Sequence, residues 1–116
     1  MIEEWVKEIK RNSDFRELGM LLIHNGVVRA TSKNGETVSG MLLSYDREKL
    51  DSLIKDFRKR EGIVDIRAWI NEGRLNVGDD IMYVLVAGKL RTNVFPVLEE
   101  LVSRIKKEIV SEAEFS

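Results

Sequence analysis

Arg29, Arg91 and Lys106 are the side chains of this sequence best placed to do chemistry on an anion, and His24 is its single imidazole. An arginine presents a planar fork that grips a phosphate or carboxylate through two bonds, and a partly desolvated lysine can act as base or amine nucleophile. Arg29 closes the run Gly26-Val27-Val28-Arg29, where an apolar strand gives way to a polar loop. Loops held by a rigid scaffold are common addresses for binding. The same pattern also reads as an ordinary hairpin with a solvated arginine. Arg91 precedes the last helix, whose first backbone N–H groups favour an anion. By residue type alone, three cations among 19 lysines and arginines read as surface charge. His24 lies in an apolar strand, where a lone histidine is more often packed or hydrogen-bonded than catalytic. No carboxylate or histidine cluster has metal-ligand spacing, so neither a metal nor a cofactor is expected. Phosphate-cradling glycine motifs are absent, as are aromatics interleaved with basic residues. No nucleic acid is expected as a partner.

The elements that must carry these residues follow from hydrophobic spacing. Ile2, Trp5, Val6 and Ile9 share one helical stripe, which predicts a helix over 2–11, within an N-terminal segment 1–14 closed by Asn12-Ser13-Asp14. A hairpin of strands 18–29 and 36–45 is expected around Asn34-Gly35, with Gly40 marking a bulge or a close backbone approach. Asp46 is a fitting N-cap for a helix over 47–61 with the stripe Leu50, Leu53, Ile54 and Phe57, and Gly62 stops it. Residues 63–71 alternate as a strand, with Trp69 on the more polar side, either covering the sheet beneath a helix or lying in a subunit interface. Residues 81–87 read as a buried strand. A long stripe from Val94 to Ile109 makes the last helix, with Pro96 near its first turn and Lys106 on the stripe's flank. Residues 110–116 are expected to fray. The order is α-β-β-α-β-β-α, an α+β class with antiparallel sheets and packed helices.

Composition bounds the rest. At 116 residues, 1–116 is one domain, with 34% charged residues and a net charge of -1 that offers no global attraction for nucleic acid or an anionic membrane. There is no cysteine, which removes disulfides and thiolate chemistry. Glutamine is absent too, and with the load of Lys, Arg and Glu this suggests a thermophile. No run reaches the roughly 20 apolar residues of a membrane helix, and MIEEWVKEIK is no signal peptide, so a cytoplasmic protein without a membrane partner is expected.

Taken in order, Gly19…Gly26-Val27-Val28-Arg29…Gly35…Val38, Leu43…Tyr45-Asp46, Gly73-Arg74-Leu75-Asn76-Val77-Gly78-Asp79 and Arg91…Val94-Phe95 resemble the large, catalytic subunit of molybdopterin synthase, the MoaE family. Lys106 falls eleven residues after Phe95, where that family carries a catalytic lysine. The resemblance spans about 15–108 and implies an α/β-hammerhead-like fold, a homodimer, and function in molybdenum cofactor biosynthesis. It implies a MoaD-like ubiquitin-fold partner whose C-terminal Gly-Gly tail arrives as a thiocarboxylate. Sulfur would pass to a pterin substrate, cyclic pyranopterin monophosphate, making this a transferase. Lys106 would assist sulfur transfer, and Arg29 and Arg91 would hold the anionic substrate or the tail. Several positions depart from the pattern. Leu90 stands for the histidine before the family's arginine, His24 for an aromatic, and Ala113 for a second lysine, in a form truncated at the C-terminus. The alternative is a divergent, non-catalytic homologue, a dimeric binding module for an anion or a ubiquitin-like protein.

Overall fold

The computed structural model describes all 116 residues. Three helices, α1 (Ile2–Asn12), α2 (Arg47–Arg58) and α3 (Arg91–Arg104), accompany six strands. The strands are β1 (Met20–Val27), β2 (Gly40–Tyr45), β3 (Ile63–Ile70), β4 (Gly73–Asn76), β5 (Asp80–Gly88) and β6 (Val110–Phe115). They form two antiparallel sheets, ordered β1-β5-β3 and β4-β2-β6. The α+β class is therefore as expected, with two more strands than the spacing predicted. No helix is long and apolar enough to cross a membrane.

β5 explains the layering. Its Met82, Val84 and Val86 join the main core with Ile66 and Ile70 of β3, Leu50, Leu53, Ile54 and Phe57 of α2, and Val94, Val97 and Leu101 of α3. Its alternate residues, Leu85 and Ala87, point to the other face and pack with Ile9 of α1. Successive strand side chains face opposite ways, so one nine-residue strand buries against helices on both sides. α1 is short and depends on this contact; burying a side chain such as Ile9 contributes about 1.5–3 kcal/mol. Trp69 meets Tyr83 with ring centroids 4.9 Å apart, beside Met1, Ile2 and Glu3 at the start of α1. The Asp46 cap is present, its Oδ1 accepting from the Lys49 N–H at 3.1 Å.

Four expectations are corrected. The segments 18–29 and 36–45 do not pair as a hairpin: β1 joins β5, and β2 joins β4 and β6. The Asn34-Gly35 turn does form, with Gly35 at φ +82°, but only a Thr31–Thr37 bridge follows before the arms diverge into separate sheets. The connection around Gly73 contains β4, which covers one edge of β2. The helix expected over 47–61 ends at Arg58, and two turns, Lys59 N–H to Asp56 O and Ile63 N–H to Arg60 O, carry the chain to Gly62 and β3. Finally, 110–116 is no frayed tail. The last helix gives way at Ile105 to a π turn, Ile105–Ile109, and β6 then pairs with β2 from Val110 to Phe115.

Gly40 marks a close approach, since its pairing is regular on both sides. A Cβ there would stand 2.5 Å from the Leu75 carbonyl oxygen and 2.9 Å from the Phe115 ring. Gly40→Ala therefore forces β4 and β6 away from β2, and overpacking of this kind costs about 2 kcal/mol. Urea denaturation should show that loss; a change within about 0.5 kcal/mol would contradict the packing of β6.

Candidate functional site

The pairing of β1 with β5 slips between Gly26 and Val27, where the chain leaves the sheet. Val28 is then buried and clamped to the β4–β5 turn, its N–H donating to Asp79 O at 2.9 Å and its carbonyl accepting from Gly78 N–H at 2.8 Å. Arg29 follows, exposed, on this fixed stem. Its Nε donates to Thr31 O at 2.9 Å, which orients the guanidinium and leaves its two terminal nitrogens free of protein partners. The loop beyond is tied down as well. Asn34 and Glu36 donate backbone N–H groups to Ser32 Oγ at 3.3 and 3.2 Å.

The π turn supplies the opposite wall. Val110 N–H donates to Ile105 O, five residues back, while Ile105 and Ile109 stay buried and Lys106 and Lys107 emerge. Such widened turns occur frequently at functional sites. β6 then adds two carboxylates. In its register with β2, Glu112 lies opposite Leu43 and Glu114 opposite Met41, which puts both on Met41's side, while Ala113 lies opposite the exposed Leu42.

These pieces enclose a cleft of about 470 Å³ whose charged lining is Arg29, Lys33, Lys106, Glu112 and Glu114, over Val27, Met41 and Ile81. A second cleft of about 490 Å³ adjoins it, lined by Lys33, Ser103, Lys106, Lys107, Val110 and Glu112. Five of the nine other arginines are engaged: Arg16 with Asp14, Arg58 and Arg67 with Asp65, Arg67 also with Glu8, Arg60 with Glu100, Arg104 with Glu108. No ion pair holds Arg29, Lys33, Lys106 or Lys107. A larger groove of about 640 Å³ lies against β3, α1 and α2, but its arginines, Arg58 and Arg67, are those paired ones. Free cations converging on one cleft make a place for an anion.

His24 belongs to the neighbourhood. It lies opposite Val84 on the core face of β1, and its Nε2 is buried without a hydrogen-bond partner. Burial, and secondarily the charge of Lys106, holds its pKa below the ordinary 6.5, so the ring is neutral at pH 7. Nε2 lies 3.5 Å from where a Cβ on Gly26 would sit, and that spot is 3.6 Å from Ile81 Cβ, in the cleft wall.

Of the residues singled out in the sequence, Arg29 and Lys106 come together although 77 positions separate them. Arg91 does not join them. It starts α3 while Lys106 lies beyond that helix's end, fifteen residues on, or roughly 20 Å at 1.5 Å per residue. Sequence reasoning missed Lys33, Glu112 and Glu114. The alternation Glu112, Ala113, Glu114, Phe115 was a strand signal, obscured by its place after a helix.

Known proteins share this fold. The family model described as "MoaE protein" matches residues 2–108. An uncharacterised protein of Methanocaldococcus jannaschii is 32% identical over 95 residues, covering 78% of this chain and 80% of that one. The X-ray structure of molybdopterin synthase from Staphylococcus aureus superposes with a TM-score of 0.77 at 17% identity, covering 95% of this chain and 82% of that one. The complex of subunits 1 and 2 of molybdopterin-converting factor from Helicobacter pylori gives a TM-score of 0.72 at 17% identity, covering 97% and 77%. At these identities the two structures speak for the fold.

His24 gives the site a pH signature. Its folded pKa lies below its unfolded value, so the unfolded chain binds more protons just below pH 6.5 and stability falls as pH drops through that window. His24→Phe should be neutral or stabilising by about 1 kcal/mol at pH 7.5, because it removes an unsatisfied buried nitrogen. Wild type should lose more stability than this variant between about pH 7.5 and pH 5 in chemical denaturation. Equal losses would mean that His24 titrates as it does in the unfolded chain.

Proposed function

The chain belongs to the MoaE family, and from that premise we propose that it serves as the large subunit of a molybdopterin synthase in molybdenum cofactor biosynthesis. Its partner is a MoaD-like ubiquitin-fold carrier, and its substrate is cyclic pyranopterin monophosphate. The observation that carries this reading is the cleft in which Arg29 and Lys106, from distant parts of the chain, stand as unpaired cations. The thiocarboxylate sulfur attacks a pterin carbon and displaces an oxygen group there, water then cleaves the carrier's C–S bond to leave a carboxylate, and negative charge develops at each displacement. Cations fixed in advance stabilise that charge without having to reorganise.

The residues divide the work. Arg29, oriented by its bond to Thr31 O, grips a phosphate or carboxylate through its free terminal nitrogens. Lys106 assists the sulfur transfer. The carrier's extended tail lies along the cleft, close to the aliphatic floor of Val27, Met41 and Ile81. Arg91, about 20 Å along its own helix from Lys106, completes the site from a second copy of the chain in a homodimer. A lysine at position 113, on the Leu42 side of β6, would not face this cleft, so the alanine there removes nothing from it.

Sulfur transfer from thiocarboxylated carrier to the pterin tests the reading. Wild type should produce molybdopterin. Lys106→Ala should lose at least about 100-fold in kcat, and Arg29→Ala should raise KM about tenfold. An inactive wild type, under conditions where an authentic large subunit works, would leave the non-catalytic binding module as the better account. Subunit mixing tests Arg91. Lys106→Ala and Arg91→Ala chains, each nearly inactive, should together recover roughly a quarter of wild-type activity, since half of randomly mixed dimers carry one intact site. A mixture no more active than its components would remove Arg91 from the site.

A further inference from the structure

Three residues line both clefts: Lys33, Lys106 and Glu112. They come from the loop after β1, from the π turn and from β6, so three separate parts of the fold converge on one junction. Lys33 has no assigned part in the reading above, yet the fold holds it there. The loop that bears it is closed by the Thr31–Thr37 bridge and by Ser32 N–H to Glu36 O at 2.9 Å, with Gly35 N–H returning to Ser32 O at 3.0 Å. Lys33 is therefore carried on an internally bonded stalk.

The charge count gives Lys33 its importance. In the first cleft three cations, Arg29, Lys33 and Lys106, face Glu112 and Glu114; in the second, Lys33, Lys106 and Lys107 face Glu112 alone. Removing Lys33 leaves the first cleft without net positive charge. The chain as a whole carries -1, so no wider field draws an anion in. We propose that Lys33 is a further substrate-binding residue, whose ammonium acts with that of Lys106 to hold the substrate's anionic group at the junction of the two clefts. Glu112 lines the same junction without an ion pair to either lysine, so both ammonium groups stay open to a ligand. The inference rests on the proposed synthase function for the identity of the anion. A pterin phosphate and the carrier's terminal carboxylate share this chemistry.

Three measurements on wild type, Lys33→Ala, Lys33→Arg and the distant control Lys55→Ala test it: KM for the pterin, affinity for the carrier with and without its Gly-Gly tail, and calorimetric binding of inorganic pyrophosphate. If the anion is the phosphate, Lys33→Ala raises KM for the pterin and weakens pyrophosphate binding about tenfold, with carrier affinity unchanged. If it is the tail carboxylate, Lys33→Ala weakens only the tail-dependent affinity. In either case kcat stays within about threefold, Lys33→Arg restores most of the loss and Lys55→Ala matches wild type. Wild-type values in all three measurements for Lys33→Ala, in an active enzyme, overturn the inference and leave the synthase reading intact. Lys33-dependent pyrophosphate binding in a protein that neither transfers sulfur nor binds the tail keeps the anion site and overturns that reading. A wild type that binds neither tail nor pyrophosphate overturns both.

Discussion

The two-sided burial of β5 is the constraint on which the rest depends. Met82, Val84, Leu85, Val86 and Ala87 are all fully buried, and they face alternately toward α3 and toward α1. Two flanking strands are needed to satisfy its backbone, and β1 and β3 supply them. That pairing fixes where β1 ends and hence where Arg29 emerges. The connection from Gly88 leads straight into α3, so the same strand sets the path of the helix that delivers Lys106. Catalysis and binding by positioned charges require such a base, because a cation on a loose support gives up much of its advantage to reorganisation.

The site works by contrast. Half of the protein's ten arginines are already paired, and exposed pairs of that kind add little to stability. The cleft cations are left without carboxylate partners within ion-pair distance, although Glu112 and Glu114 line the same space. Such an arrangement is poor for stability and good for ligands, since an incoming anion need not displace an existing bond. The neutral His24 beneath the cleft fits the same logic: burial first, and then the charge of Lys106, disfavours a proton on its ring.

Much of this was legible in the sequence. The stripes of α1, α2 and α3, the Asp46 cap, the alternation of β3 and the Gly35 turn are local signals, and each sits where spacing placed it. Pairing is not local. Asn34-Gly35 announces a turn, but whether its arms stay together depends on what else competes for them, and β5 and β4 won β1 and β2. β4 is four residues long and was hidden in a connection; β6 was hidden by its position after a helix that widens into a π turn. For the site, the family resemblance singled out Arg29 and Lys106, which do converge, and Arg91, which does not within one chain. Glu112 and Glu114 could be found only once the β2–β6 register was known, because that register decides which side of the strand faces the cleft, and Lys33 only once its loop was seen to share clefts with the π turn.

The most direct test of the central claim is a binding titration against a ubiquitin-fold sulfur carrier ending in Gly-Gly, with the same carrier lacking its tail as control. A cleft built to receive that tail between Arg29 and Lys106 predicts saturable binding that weakens at least about tenfold when the tail is removed. Equal affinity for both forms, or none for either, would contradict the claim that this cleft is a sulfur-transfer site.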